Sequence, residues 1–281
     1  MAQRGVKVAV VGHIEWVQFA RAEHVPRAGE VVHAGALLEE PAGGGAVAAV
    51  QLARLAGESL LLSAVGQDEL GERSLARLGE LGVRVAAVRR AEPTRRALTL
   101  LDDAGERTIV TFGPRLEPLA SDQELPWGEL AEMDAVYFTA GDEGALRAAR
   151  AARVLIASPR ARGALGHGVA LDALALSEED PIEREAALRV GGEAELVLMT
   201  RGARGGTYRD RSGRSGTWAP VPPPGEARDS YGCGDSFAAG LAYGLAAGMG
   251  REGALALAAR CGAVCATGTG PYARMLDGGE D

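Results

Sequence analysis

The sequence predicts an α/β protein built on a mostly parallel sheet that is covered by helices on both faces. Its apolar runs, such as Val6–Val11 and Leu60–Val65, are continuous rather than alternating, as expected for strands that are buried on both faces. These runs alternate along the chain with helical segments, which is the order of repeated βα units. The length of 281 residues is compatible with one large α/β domain or with two small ones, and we expect a single domain over residues 1–281.

Local patterns define the individual elements. Gly43, Gly44 and Gly45 precede a helix with one apolar face over Ala46–Ala56, and Gly82 ends a helix over Glu69–Leu81. The remaining predicted elements are strands at Val83–Val88, Ala135–Phe138, Val154–Ala157, Ala173–Leu176 and Glu195–Met199, a hairpin around Ser212-Gly213, and helices at Glu143–Ala151, Pro181–Val190, Asp235–Ala247 and Glu252–Ala266.

Two segments contain strand patterns without helices. Residues 13–40 hold short strand-like stretches, and the runs Ala97–Leu101 and Arg107–Phe112 are joined by Asp102-Asp103-Ala104-Gly105, a hairpin turn sequence. Strands that interrupt a βα rhythm are most simply explained by a separate small sheet. We therefore expect residues 13–40 and 94–113 to form a lid.

Composition excludes several classes of function. Lys7 is the only lysine and lies in an apolar run, so a Walker P-loop, a protein kinase and a Schiff-base enzyme are excluded, because each needs a lysine at its site. The net charge of −8, without a basic run, argues against nucleic acid as a partner. The chain also contains no asparagine.

Neither secretion nor membrane insertion is indicated. The first apolar run is too short for a signal peptide, and the fifteen uncharged residues of Ser236–Gly250 favour a buried helix, because a spanning helix needs about 20. Three cysteines suit a reducing compartment, with Cys261 and Cys265 as small buried residues of one helix rather than a metal pair. We expect a soluble, cytoplasmic protein.

The clearest chemical motif is Asp229–Phe237, which reads DSYGCGDSF directly before a helix. Glycines at a helix start leave backbone N–H groups unpaired, and the helix dipole favours an anion there. Asp235 beside this cradle could act as the base that deprotonates a hydroxyl attacking a bound phosphoryl group. The alternative is that Asp235 only caps the helix. At the other strand-to-glycine junction, Gly12-His13-Ile14-Glu15 does not match the dinucleotide fingerprint, which disfavours an NAD site.

The segment Asp229–Phe237 resembles the C-terminal signature D-T-x-G-A-G-D-x-F of the ribokinase-like (PfkB) carbohydrate kinases. Residues 42–57 are similar to the N-terminal signature of that family, and residues 65–71 to its V-G-x-D-x-x-G motif. Residues 200–206 resemble its T-x-G-x-x-G motif. Four motifs in family order cover most of the chain. The resemblance implies a three-layer α/β/α fold with a small β-sheet lid.

The resemblance also implies a reaction. ATP, with Mg²⁺, would phosphorylate a hydroxymethyl group of a sugar or sugar derivative, such as a sugar acid or phosphosugar. Asp235 would be the base, and Gly232, Cys233 and Gly234 would form the anion hole. The other implied site residues are Gly43, Gly44 and Gly45 near the acceptor, Thr200, Gly202 and Gly205 near ATP, and Asp229 near a monovalent cation such as K⁺. In similar enzymes the lid can join two copies as a homodimer.

The chain departs from the family pattern mainly at the acceptor and the metal. Val17 stands where related kinases carry an aspartate that binds acceptor hydroxyls, and Glu15 could substitute for it. Val47 replaces an asparagine at the acceptor. The family's N-x-x-E motif is represented by Ser177-Glu178-Glu179-Asp180, so Asp180 and Glu179 become the candidates for Mg²⁺.

These changes leave the identity of the acceptor open. His13 follows a strand end and is a candidate pocket residue. Arg95 and Arg96 follow Thr94 at the start of the lid hairpin. In the phosphosugar branch of the family an arginine after a threonine in this region binds the substrate phosphate, so these arginines could bind an anionic acceptor; the alternative is a solvated arginine. A nucleoside kinase is the alternative enzyme, and a catalytically weak ligand-binding protein on a kinase scaffold is the alternative from another class.

Overall fold

Seven parallel strands form the centre of a nine-stranded sheet in the computed structural model, which describes residues 5–102 and 107–279. An antiparallel hairpin completes one edge. In spatial order the strands are β13 (Ser215–Trp218), β12 (Gly206–Asp210), β11 (Ala194–Thr200), β10 (Leu171–Ser177), β9 (Val154–Ala157), β8 (Ala135–Phe138), β1 (Val8–Val11), β4 (Ser59–Gly66) and β5 (Val83–Arg90).

Helices cover both faces of this sheet, because the side chains of its strands alternate between two apolar cores. Val8 and Val10 of β1 belong to one core, whereas Ala9 and Val11 belong to the other. The predicted three-layer α/β/α fold is therefore confirmed. The first core is covered by α1 (Gly44–Ala56), α2 (Glu69–Glu80), α5 (Cys233–Ala246) and α6 (Gly250–Cys265), and the second by α3 (Glu143–Ala149) and α4 (Pro181–Val190).

A second sheet of four strands is built from the two segments that lack helices. Its order is β3 (Ala36–Ala42), β2 (Glu15–Arg21), β6 (Arg96–Leu101) and β7 (Arg107–Phe112). Strands β2 and β6 pair in parallel, and the two outer pairs are antiparallel. Only three residues separate β1 from β2, so this small sheet stands at the carboxyl end of β1. The hairpin turn predicted at Asp102-Asp103-Ala104-Gly105 falls largely outside the described residues.

Several predicted boundaries differ from the structure by one or two residues. Helix α5 begins at Cys233 rather than Asp235, and α6 begins at Gly250 rather than Glu252. Helix α3 ends at Ala149 rather than Ala151. The apolar pattern marks the buried turns of a helix but not its exact first and last residues, so predicted ends differ from the structure in either direction.

The glycines of the uncharged run serve close packing between α5 and α6. A Cβ on Gly240 would lie 2.7 Å from Sγ of Cys261, and one on Gly244 would lie 2.7 Å from Cα of Ala254. Cys261 and Cys265 are buried, as predicted. Within residues 5–102 and 107–279 no helix is long and apolar enough to cross a membrane, and no cluster of metal-ligating side chains is found.

Packing at Gly240 leads to a stability prediction. Gly240→Ala should lower the free energy of unfolding by about 1–3 kcal/mol, because the added methyl group overpacks the helix interface. The control is Gly79→Ala in α2, where a Cβ meets nothing within 4 Å. That substitution should raise stability by about 0.5–1 kcal/mol. Urea unfolding measures both, and equal effects of the two variants would contradict the packing argument.

Candidate active site

The order of the strands creates a crevice between β1 and β8. From β1 the chain passes to β4 and β5 on one side and then returns to β8 on the other. Ligands of open α/β sheets bind at such a switch point, outside the carboxyl ends of the strands. Gly12 follows β1 and Thr139 follows β8. A Cβ on Gly12 would lie 2.6 Å from both Cα of Gly45 and Cγ2 of Thr139, so the first turn of α1 fills one side of this crevice.

The first turn of α5 reaches the same place and brings Asp235 with it. A Cβ on Gly44 would lie 2.9 Å from Oδ1 of Asp235 and 3.1 Å from Oγ1 of Thr139. The hydroxyl oxygen of Thr139 is buried and has no hydrogen-bond partner among the described residues. Buried polar atoms are normally paired, so this hydroxyl is available to a ligand.

The carboxylate of Asp235 is poised to exchange a proton near neutral pH. Loss of solvation raises its pKa to about 6, against the opposing charges of Arg160 and Arg107. The negative charges of Glu183 and Glu15 add to the rise. A group with this pKa is mostly ionised at pH 7 and still basic enough to accept a proton from a hydroxyl.

The predicted anion hole lies at the N-terminus of α5. Gly232 caps the helix with a φ of 80°, a left-handed conformation that glycine adopts without strain. Cys233 donates its backbone N–H to the Ser230 carbonyl at 3.4 Å, whereas the N–H groups of Gly234 and Asp235 have no partner in the described part of the chain. A Cβ on Gly234 would meet nothing within 4 Å, so the cradle is open. Free amides and the helix dipole together suit an anionic phosphoryl group.

The alternative role of Asp235 as a helix cap does not hold. The cap residue is Gly232, no side chain caps the helix, and Asp235 already lies in its first turn.

Asp229 and Val47 fix the loop that precedes α5. One oxygen of Asp229 accepts the backbone N–H of Tyr231 at 2.8 Å, and the other accepts that of Gly270 at 2.9 Å. Val47 is fully buried, and its Cγ1 would lie 2.9 Å from a Cβ on Gly232. Val47 therefore packs beneath the anion loop and offers no polar atom to an acceptor.

His13, Glu15 and Arg95 meet beside Gly43. A Cβ on Gly43 would lie 2.9 Å from Nε2 of His13 and 3.2 Å from Cγ of Glu15. Nε of Arg95 lies 3.3 Å from Oε2 of Glu15. Gly43 directly precedes Gly44, and Gly44 contacts Asp235. The group formed by His13, Glu15 and Arg95 therefore lies beside the residue that precedes this contact.

The environment of this group favours a neutral histidine. Burial lowers the pKa of His13 well below its ordinary value, and the charges of Arg115, Arg95 and Arg160 lower it further. Burial raises the pKa of Glu15, while the nearby arginines oppose the rise. Nδ1 of His13 is buried and unpaired within the described ranges.

Asp68 of the V-G-Q-D-E-L-G segment sets the position of Arg95. Its Oδ1 accepts hydrogen bonds from the Gly71 N–H at 2.8 Å and the Thr94 hydroxyl at 2.7 Å. Its Oδ2 accepts the Thr94 N–H at 2.7 Å. Asp68 thus caps α2 and holds the start of β6, so Arg95 is placed by a side chain that does not itself reach the site.

The residues predicted for ATP and Mg²⁺ lie farther along the same sheet edge, at the ends of β10 and β11. Thr200 ends β11 and receives the Glu178 N–H at 2.9 Å, and Gly202 and Gly205 form the turn into β12. Asp180 caps α4 and lies 3.1 Å from Arg160, whereas Glu179 is exposed and lies 3.8 Å from Arg204. The magnesium role of Asp180 and Glu179 stays a prediction.

Sequence reasoning missed three charged residues. Arg160 follows β9 and pairs with Glu183 and Asp180, and Glu183 also accepts the Ser177 N–H at 2.8 Å. Arg115 donates to the Arg160 carbonyl at 3.2 Å. The signal that could have found Arg160 is its place three residues after a buried strand, because all parallel strand ends meet at one edge.

A cleft of about 400 Å³ borders the segment that leads into the anion loop, a volume typical of small-ligand sites. Arg228 and Asp229 donate their N–H groups to the Ala266 carbonyl and so join this segment to the end of α6. The cleft is lined by Pro224, Gly225, Glu226, Arg228, Thr267, Gly268, Thr269, Ala273 and Arg274.

Comparison with known proteins agrees with this geometry. The family model for pfkB family carbohydrate kinases matches residues 6–161 and 170–277. A fructokinase from Klebsiella pneumoniae is 32% identical over 278 residues, covering 84% of this chain and 89% of the relative. A ribokinase from Lactococcus lactis is 35% identical over 133 residues, covering 46% of this chain and 44% of the relative.

Solved structures share the fold at lower identity. Ribokinase from Giardia lamblia superposes with a TM-score of 0.79 at 18% identity, covering 97% of each chain. Arabidopsis thaliana ribokinase, complexed with ribose and ATP, superposes with a TM-score of 0.75 at 21% identity, covering 97% of this chain and 96% of that one.

The fold, the site and these relatives define a phosphotransferase with an alcohol group as acceptor. The chain belongs to the pfkB family of carbohydrate kinases.

The contact at Gly44 yields a test of the site. Gly44→Ala should lower kcat/KM by about 100-fold or more, because its methyl group would displace the Asp235 carboxylate, and misplacement of a reacting group by about 1 Å costs that much. Gly79→Ala adds the same methyl group in open space and should leave activity unchanged. Steady-state ATP consumption measures both, with circular dichroism to verify folding. A folded and fully active Gly44→Ala variant would contradict this geometry.

Proposed function

We propose that this chain transfers the γ-phosphoryl group of ATP to a hydroxymethyl group of a sugar or sugar derivative. The observation that carries the proposal is the carboxylate of Asp235, with its raised pKa, one residue from the free N–H of Gly234 at a helix N-terminus. A base and an anion cradle are the two parts that phosphoryl transfer to an alcohol requires.

In this mechanism Asp235 accepts the proton of the acceptor hydroxyl as the oxygen attacks phosphorus. The negative charge of the transferring group meets the free backbone N–H of Gly234 and those of Gly232 and Cys233 before it, of which the Cys233 N–H is shared with the Ser230 carbonyl at 3.4 Å. The dipole of α5 assists them. ATP would supply the phosphoryl group, and Mg²⁺, for which Asp180 and Glu179 are the predicted ligands, would offset the charges of its phosphates. His13, Glu15 and Gly43 position the acceptor next to Gly44.

The nucleotide site is proposed from two features, a cleft that borders the segment leading into the anion loop and the turn after β11. The cleft of about 400 Å³ borders Arg228, which immediately precedes the loop, and Thr200 with Gly202 forms the turn at the end of β11. We expect the nucleotide to lie between them with its phosphates at α5. Each oxygen of Asp229 accepts one backbone N–H and retains a second lone pair, which a K⁺ ion could take.

The pKa of Asp235 sets the expected pH dependence. Below about pH 6 the carboxylate becomes protonated and cannot act as a base, so kcat/KM should fall tenfold for each further pH unit and reach a plateau above pH 7. Asp235→Asn should lower kcat by about 100-fold or more and abolish this dependence. A pH series of initial rates measures both.

The matched control is Glu185→Gln, which neutralises an exposed carboxylate of α4 and should keep the wild-type pH profile. Unchanged turnover in Asp235→Asn would show that Asp235 is not the base. If no sugar, sugar acid, phosphosugar, polyol or nucleoside stimulates ATP consumption while one of them binds tightly, the protein is a ligand-binding member of the fold instead.

A homodimer through the small sheet forms part of the proposal. Strand β7 is the outer strand of that sheet, and its residues Ile109, Val110 and Phe112 are 42%, 46% and 48% exposed. An unpaired strand edge with exposed apolar side chains favours pairing with another strand. A second copy of this chain offers the same edge, and the two edges can pair with twofold symmetry.

Light scattering tests the dimer. The wild-type protein should have twice the chain mass of 29.0 kDa, and Val110→Glu should shift it to the monomer, because the charge would be buried at the strand edge. The control is Leu188→Glu, which changes a leucine of α4 that is 87% exposed and should leave the dimer intact. A monomeric wild type, or a dimer that survives Val110→Glu, would contradict this assembly.

A further inference from the structure

Two cysteines from separate helices meet beside the loop that precedes α5. Cys233 is the first residue of α5, and Cys265 is the last residue of α6. Their side chains hydrogen-bond to each other, with the Cys233 thiol donating to the Cys265 sulfur. The proposed phosphoryl transfer uses neither sulfur, because the anion hole is built from backbone N–H groups.

Both sulfurs are also hydrogen-bonded to the backbone of this loop. Sγ of Cys233 donates to the Asp229 carbonyl at 3.9 Å, and Sγ of Cys265 donates to the Tyr231 carbonyl at 3.4 Å. A Cβ on Gly232 would lie 3.8 Å from Sγ of Cys265. The two thiols therefore share one small volume between the loop and the end of α6.

The two thiols differ in their access to solvent. Cys265 is 1% exposed, whereas Cys233 is half-buried. A Cβ on the neighbouring Gly234 would meet nothing within 4 Å, so a small solute can reach the cradle in which Cys233 lies. A reachable thiol with a second thiol in contact is the arrangement of a redox-sensitive pair, in which the second sulfur resolves the oxidised one.

Cys261 lies one turn earlier in α6 but faces a different part of α5. A Cβ on Gly240 would lie 2.7 Å from its Sγ. Gly240 is about two helical turns beyond Cys233, so the Cys261 sulfur packs against the middle of α5 rather than its start. Cys261 is therefore a matched control, a buried thiol of the same helix that packs elsewhere.

We propose that Cys233 and Cys265 form a modification site, at which a small peroxide joins the two sulfurs in a disulfide and thereby inactivates the anion hole. Reduction by a dithiol restores both thiols and the active form. The disulfide is independent of the reaction that the protein catalyses, whereas the loss of activity rests on the kinase function proposed above.

The reaction takes two electrons from the thiols and gives them to the peroxide. The hydrogen bond between the sulfurs lowers the pKa of Cys265 and raises that of Cys233, so the pair releases one proton to solvent and shares the remaining hydrogen. Sγ of Cys233 attacks one oxygen of hydrogen peroxide. The O–O bond breaks, and the departing hydroxide takes up a proton to become water.

The product of this first step is a sulfenic acid on Cys233. Sγ of Cys265 attacks the sulfur of that group, the S–O bond breaks and the disulfide forms. The departing hydroxide takes the proton of the Cys265 thiol and becomes a second water. Two thiols and one peroxide are thus converted to one disulfide and two waters.

Formation of the disulfide requires the start of α5 to move. A disulfide brings its sulfurs to about 2 Å, well inside hydrogen-bond distance. Cys265 is fixed inside the protein, whereas the Cys233 N–H is held by one hydrogen bond of 3.4 Å to the Ser230 carbonyl. Movement of Cys233 displaces the free N–H of Gly234 and the carboxylate of Asp235, and a displacement of about 1 Å at a reacting group costs about 100-fold in rate.

The first experiment detects the bond by mass. The reduced protein is treated with hydrogen peroxide, the excess is removed with catalase, and the remaining thiols are alkylated. The protein should lose two hydrogen atoms and keep one alkylated cysteine, Cys261. Trypsin cleaves after arginine, so the disulfide should join peptide 229–251 to peptide 261–274. The second peptide holds both cysteines of α6, so Cys261→Ser should give the same link and Cys265→Ser should give none.

The second experiment measures activity before and after the same treatment. Oxidation should lower kcat/KM for ATP consumption with the best acceptor by about 100-fold, both in the wild type and in Cys261→Ser, and dithiothreitol should restore it. Cys265→Ser keeps a hydrogen-bond donor for the Tyr231 carbonyl and leaves the anion hole in place. This variant should be active before treatment and should keep most of its activity afterwards.

The outcomes separate the disulfide from the kinase function. Absence of the link between the two peptides, or its loss in Cys261→Ser, overturns the modification site. Equal inactivation of the wild type and Cys265→Ser overturns the disulfide as the cause, because oxidation of Cys233 alone would then suffice. If the disulfide forms and activity is unchanged, the inactivation is overturned while the kinase function stands.

If no acceptor stimulates ATP consumption, the kinase function itself fails, and the peptide link still decides whether the two sulfurs form a modification site. Should Cys265→Ser not fold, Cys265→Ala removes the same sulfur and gives the same comparison.

Discussion

The first turns of α1 and α5 meet at the crevice between β1 and β8, and the candidate site depends on how closely they approach. The space between Gly44 and the Asp235 carboxylate does not admit a Cβ atom. Because each helix presents its N-terminus, two positive dipole ends face the same small volume. That volume contains the base, the open amide cradle and the hydroxyl of Thr139, which has no partner among the described residues. A phosphoryl group is the type of ligand that such an arrangement stabilises. The space for it stays open because the residue at the contact, Gly44, has no side chain.

Charge burial is the second constraint. Charges of both signs surround Asp235. Arg160 and Arg107 lower its pKa and Glu183 raises it, but loss of solvation has the largest effect and brings the pKa to about 6. Arg160 is itself balanced by Glu183 and Asp180, which also begin α4. The start of α4, the ion pairs of Arg160 and the base Asp235 therefore interact electrostatically as one group.

Local patterns in the sequence predicted the fold well because strands and helices bury characteristic faces. Continuous apolar runs identified the parallel strands, and glycines before Ala-rich segments marked the starts of α1 and α5. The same logic located Asp235 and its glycines, since both lie within one short segment. It did not identify Arg115, Arg160 or Glu183. The place of Arg160 three residues after β9 is a local signal, but in a chain with 29 arginines it does not show which carboxylates that arginine will pair with. Similarly, the sequence places Val47 where related kinases carry an acceptor-binding asparagine. In the structure its side chain packs beneath Gly232.

The sequence by itself determined the α/β architecture, the glycine-lined helix starts and the candidate base, because these features rest on periodicity and backbone conformation within a few residues. The presence of a single lysine, Lys7, also excluded the Walker P-loop and the protein-kinase mode of binding phosphate. Only the tertiary structure decided which charges surround the base, which hydroxyls remain unpaired and how three distant arginines meet around His13 and Glu15. The physical reason is that desolvation and Coulomb interactions depend on distances in space, and residues such as Arg95 and Arg160 become neighbours only when the strand ends are gathered at one edge of the sheet.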